Sequence, residues 1–126
     1  MDDPLLGDGM RVRREVLGDE HVDRAMQGGS DFTEPFQAFI TRMAWGSVWT
    51  REELDRRTRS CITLAVLCTL RAEEELALHV RAAIRNGLTP DEIREVLLHT
   101  AVYAGVPAAN TAMTIARRTL EELGEL

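Results

Sequence analysis

The stretch Arg71-Ala-Glu-Glu-Glu-Leu-Ala-Leu-His79 places a histidine four residues after a glutamate. On an α-helix that spacing stacks the two side chains one turn apart. Imidazole ordinarily titrates near neutrality, so it can give or take a proton at working pH. A carboxylate one turn earlier can orient the ring and favour its charged form. Glu75 and His79 are therefore a candidate proton-handling pair, although the same spacing also describes an ion pair on a solvated helix edge. Cys61 and Cys68, a little upstream, raise redox chemistry instead. On one helix they stand about 10 Å apart along the axis. A disulfide allows no more than roughly 7 Å between Cα atoms. They read as small buried apolar residues in a reducing compartment.

These residues need elements to hold them, and the elements are helical. Ala, Leu, Arg and Glu dominate the chain, and no segment alternates apolar with polar residues over a useful length. Residues 1–8 read as a loose tail, followed by a domain over 9–126. A first helix spans about 11–26 and stops at Gly28-Gly29. Ser30 or Asp31 caps the next helix, in which Phe32, Phe36, Phe39, Ile40 and Met43 recur at spacings of three and four. That stripe is a core face or a subunit-contact face. Thr50 with Glu53 has capping-box spacing, and Asp55 offers a second N-cap. Residues 60–70 are apolar on nearly every side, the pattern of a central helix buried all round. A helix over 73–86 ends at Asn86-Gly87. Thr89, Pro90 and Glu92 start another, with Leu88 and Ile93 at hydrophobic-staple positions. Gly105 and Pro107 then punctuate before a last helix over 107–122. The sequence therefore predicts an all-α, single-domain bundle of about six helices around a central helix–turn–helix hairpin.

Composition narrows the function classes. With 126 residues there is room for one core, and 44% hydrophobic residues are enough to fill it. A net charge of −6 argues against nucleic acid and anionic membrane surfaces as partners, and against a DNA-binding role for the hairpin. No signal peptide precedes the first periodic segment, and no apolar run nears the roughly 18 residues of a membrane span. The expected location is the cytoplasm.

Three segments carry a resemblance. Gly9 to Ala25 (GMRVRREVLGDEHVDRA), Ala44 to Ser60 (AWGSVWTREELDRRTRS) and Glu75 to Asn110 (ELALHVRAAIRNGLTPDEIREVLLHTAVYAGVPAAN) closely resemble the 4-carboxymuconolactone decarboxylases. The resemblance runs from about residue 9 to 122 and is most specific in LDRRTRS and YAGVPAAN. It implies an alkylhydroperoxidase D-like helical fold. The thiol enzymes of that wider superfamily carry C-x-x-C-x-x-x-H with an upstream glutamate. With the motif histidine laid on His79, the two cysteine positions fall on Ala72 and Glu75, and the glutamate on Ser60. A thiol–disulfide mechanism needs a thiolate at a fixed place beside its base, and this chain has none there.

What the resemblance implies is a cofactor-independent decarboxylation, in the protocatechuate branch of the β-ketoadipate pathway, with no metal. The substrate is a small anionic lactone whose γ-carbon bears one carboxylate and one carboxymethyl group. Loss of CO2 sends two electrons through the ring double bond to the lactone carbonyl, and the dienolate is protonated on its α-carbon. The site must stabilise the developing oxyanion, deliver a proton and hold the remaining carboxylate. His79 is the candidate acid, with Glu75 to orient it. Arg57 and Arg59 of LDRRTRS are the carboxylate candidates. Arg57 shares a helix face with Leu54, Cys61 and Leu64, an unusual place for a charge unless it points into a pocket. Trp45 and Tyr103 could wall the ring, or Trp45 could serve the core or an interface. His99, one turn before Tyr103, is a second proton donor of lesser weight. His21 reads as surface. The alternatives are a thiol peroxidase or disulfide reductase, and a non-catalytic assembly subunit. Relatives form homo-oligomers, often trimers of dimers, so a hexamer is the implied assembly.

Overall fold

A computed structural model describes residues 2–126. Among them there are seven α-helices, one π-helical segment and no strand, as an all-α chain requires. The contacts divide the chain into two compact units, one running to Leu54 and one starting at Asp55.

The first unit holds α1 (Pro4–Leu17), α2 (Asp19–Gln27), α3 (Glu34–Ile40) and a π-helical segment, Thr41–Val48. Helix α1 starts inside the stretch expected to be a loose tail. Asp3 caps it by accepting from the Leu6 N–H at 3.1 Å, and Pro4 needs no partner at the first helical position. The single helix expected over 11–26 is two, because Gly18 takes φ 89°, a conformation open to glycine that ends α1. Neither Ser30 nor Asp31 caps α3, whose N-cap is Thr33. Helix α1 lies directly on the π-helical segment. A Cβ on Gly9 would stand 2.1 Å from the Thr41 carbonyl oxygen, and one on Gly46 would stand 2.3 Å from that of Leu5. Val12, Val16, Leu17, Val22 and Trp45 are buried. Arg13 is buried among them, donating to Thr41 Oγ1 at 3.1 Å and Gln37 Oε1 at 3.0 Å. Phe32, Phe36, Phe39 and Met43 are exposed, so their stripe is not a core face.

The second unit is four helices: α4 (Arg56–Leu70), α5 (Glu73–Arg85), α6 (Pro90–Ala104) and α7 (Val106–Glu122). Asp55, rather than Thr50, caps α4, accepting from the Thr58 N–H at 2.8 Å. Thr50 instead donates to the Gly46 carbonyl at 2.6 Å. The α5–α6 connection follows the sequence. Thr89 and Glu92 form a complete capping box, and Leu88 and Ile93 are both buried. Yet α5 and α6 touch each other little and pack instead on α4 and α7. The core is drawn from all four helices, through Leu64, Leu76, Val80, Ile93, Leu97, Ala112 and Leu120. Helix α4 is not buried all round: Ser60, Leu64 and Cys68 face the core, while Ile62, Val66 and Leu70 are exposed. Among the described residues no helix is long and apolar enough to cross a membrane.

Candidate active site

Helix α5 carries both Glu75 and His79. Its apolar stripe, Leu76, Val80 and Ala83, is fully buried, which sets the rotation of the whole helix. Glu75 and His79 follow from that rotation: the carboxylate is exposed, and the imidazole is half-buried with its Nδ1 beneath the surface. Glu73, Glu74 and Glu75 all lie in the first turn, where negative charge suits the helix dipole.

The arginines of α4 separate. Arg57 donates to the Gly87 carbonyl and to the Glu92 carboxylate, so it clasps the turn between α5 and α6. The Thr89 backbone N–H and the nearby Arg57 charge hold the Glu92 carboxyl below its usual range. One turn further along α4, Ser60 Oγ accepts from the Asn86 side chain at 2.8 Å, a second tie between α4 and that turn. Arg59 is half-buried, with its Nε out of solvent. Of the two predicted carboxylate ligands, Arg57 is thus already engaged by the protein's own turn. Its bonds to Gly87 and Glu92 cross 30 and 35 residues, a separation that no local pattern reveals.

On α6, His99 and Tyr103 stack with ring centroids 5.1 Å apart, and Tyr103 is 80% exposed. Trp45 stacks on Trp49 at 5.2 Å and is buried in the first unit, the core role that its sequence context allows. Cys61 and Cys68 are both free, and burial pushes both thiols up. The Glu92 charge adds to this at Cys61. Raised thiols stay protonated at neutral pH, which opposes nucleophilic sulfur chemistry.

The turn into α5 carries a feature that the residue types gave little hint of. Arg71 ends α4 in the left-handed region, φ 56°, and donates to Thr111 Oγ1 of α7 at 3.1 Å. A non-glycine residue there is strained unless its surroundings hold it. Two cavities lie apart from these groups. One of about 200 Å³ is lined by Ile93, Leu97, Met113 and Leu120 among others. Another, of about 560 Å³, belongs to the first unit beside Met10, Met26, Gln37 and Thr41.

Helix α5 thus carries an exposed carboxylate and a half-buried imidazole one turn apart, α4 carries the half-buried Arg59 guanidinium, and both thiols are raised. The raised thiols oppose a thiol redox mechanism. A 4-carboxymuconolactone decarboxylase of Acinetobacter baylyi is 50% identical over 116 residues, 92% of this chain and 87% of the relative. A nitrosuccinic acid decarboxylase of Metarhizium robertsii is 45% identical over 119 residues, 94% and 83% of the two chains. A 4-carboxymuconolactone decarboxylase of Pseudomonas putida is 58% identical over a shorter stretch of 38 residues, 30% of this chain. The model of the carboxymuconolactone decarboxylase family matches residues 34–118, spanning the arginines of α4, the Glu75–His79 pair and the α6 aromatics, and the chain belongs to that family.

Proposed function

We propose that the protein is a carboxy-lyase that converts 4-carboxymuconolactone into 3-oxoadipate enol-lactone without a cofactor, in the protocatechuate branch of aromatic catabolism. The observation that carries this is the 50% identity, over 92% of the chain, to a 4-carboxymuconolactone decarboxylase. The chemistry needs no external electron sink. When the bond from the γ-carbon to its carboxylate breaks, the electron pair passes through the ring double bond to the lactone oxygen. His79 gives its proton to the α-carbon of that dienolate, and Glu75 orients the imidazole one turn away. Arg59 holds the carboxymethyl carboxylate, and Arg57 joins it only by releasing Glu92. His99 and Tyr103 offer a stacked surface to the ring. The protein works as a cytoplasmic homo-oligomer, a hexamer built as a trimer of dimers.

Pure protein mixed with the lactone, with no added metal, flavin or thiol, should release CO2 and form the enol-lactone. His79→Gln should lower kcat by about 10²–10⁴-fold with little change in KM. Absence of turnover by the wild type would remove this substrate, and an unchanged kcat in the variant would remove His79. The 45% identity to a nitrosuccinic acid decarboxylase favours a second reading, in which the acyclic nitro acid is the better substrate. The ratio of kcat/KM for the two acids decides between them. A thiol peroxidase is disfavoured by the raised, free thiols of Cys61 and Cys68.

A further inference from the structure

4-Carboxymuconolactone is an unsaturated ring and nitrosuccinic acid is an open chain, yet relatives 50% and 45% identical to this protein are named for one and the other. The two molecules coincide at one carbon. In each, the carbon that loses CO2 carries a carboxymethyl arm and is conjugated to an oxygen-bearing acceptor, the unsaturated lactone carbonyl in one and the nitro group in the other. The roles proposed above for His79 and Arg59 address those features and not the ring. His79 supplies a proton, and Arg59, half-buried on α4, supplies a fixed positive charge for the arm. The ring would be met by His99 and Tyr103, which are stacked on each other and open to solvent. Exposed aromatic surface contributes little discrimination, whereas an unpaired carboxylate beside a half-buried arginine contributes much.

We infer that the enzyme recognises the carbon and its arm rather than the lactone, so that acyclic 2-acylsuccinates are substrates as well. This rests on the decarboxylase activity proposed above. The probe is 2-acetylsuccinate, whose C2 bears the departing carboxylate, the carboxymethyl arm and an acetyl acceptor. The bond from C2 to its carboxylate breaks and CO2 leaves. The electron pair moves into the C2–carbonyl bond, giving an enolate. His79 protonates C2, and the product is 4-oxopentanoate. One proton is taken up and one CO2 released, with no oxidant or reductant. In the lactone the proton goes to a ring carbon two bonds from the one that loses CO2.

The test uses wild-type protein and three acids, each measured against its own spontaneous CO2 loss: the lactone, 2-acetylsuccinate and 2-methyl-3-oxobutanoate. The last has a methyl group in place of the carboxymethyl arm. The expected result is turnover of the lactone, release of CO2 from 2-acetylsuccinate at least about tenfold above background, and none above background from the armless acid. Turnover of the lactone alone would overturn the inference and leave the decarboxylase reading intact. Equal acceleration of both acyclic acids would also overturn it, since the arm would then not be read. No acceleration of any of the three would overturn both.

Discussion

Two residues, one in each unit, show how surroundings redirect ionisable groups. Arg57 is of the type expected to bind a substrate carboxylate, but the Gly87 carbonyl and the Glu92 carboxylate already take its guanidinium. His21 reads as surface from sequence, yet it is half-buried on α2. Burial pushes its imidazole below the ordinary range, and the positive charges of Arg13 on α1 and Arg24 on α2 push it further the same way. The sign follows from that direction. In the unfolded chain His21 binds a proton near its usual value, about pH 6.5, whereas in the folded chain it resists until lower pH. Its contribution is present above the unfolded value and is lost as pH falls towards the folded one. His21→Gln should therefore flatten the dependence of Tm on pH between about pH 8 and pH 5.5, compared with wild type. Thermal melts of the two proteins across that range test it, and parallel curves would place the acid sensitivity elsewhere.

At the scale of elements, the tightest constraint lies where α1 meets the π-helical segment. Two backbones touch there because Gly9 and Gly46 have no side chains, and the obstacle to any Cβ is a carbonyl oxygen that cannot swing away. Gly9→Ala should cost roughly 3 kcal/mol, at the upper end of ordinary overpacking penalties. Chemical denaturation measures this, and a loss below about 1 kcal/mol would mean the two elements can part without penalty. Neither the contact nor the π-helix was legible beforehand. A π-helix arises from one residue too many fitted against a neighbour, here with Trp49 N–H reaching the Ala44 carbonyl at 2.9 Å, and sequence periodicity does not encode the neighbour. The α5–α6 turn was legible, because Asn86, Gly87, Thr89, Pro90 and Glu92 each act within a few residues of themselves. The helix that holds Glu75 and His79 one turn apart was legible for the same reason. The Arg57 clasp and the Asn86–Ser60 tie join distant segments, and local pattern is silent on those.

For the whole molecule, α4 is the instructive misreading. A helix apolar on every side must meet apolar surface on every side, but the pattern does not say which chain supplies it. Within this chain Ile62, Val66 and Leu70 remain exposed at spacings of four. On α6, Leu98 and Val102 are exposed as well, Val102 at 77%. In the first unit Phe36 and Phe39 add a separate apolar face. Soluble monomers rarely leave so many large apolar side chains in contact with water, and a second copy of the chain is the partner that a closed symmetric assembly provides. Sedimentation should then find wild type as a multiple of the 14.1 kDa chain. Val102→Glu should shift it to smaller species, because a carboxylate placed in an apolar contact must be desolvated without a partner. An exposed position tolerates the change within roughly 0.5 kcal/mol in the isolated fold, so loss of assembly would not reflect unfolding. Circular dichroism on the same samples checks that directly. If Val102→Glu leaves the mass unchanged while Phe36→Glu lowers it, the contact belongs to the first unit's aromatic face and α6 is left free for substrate.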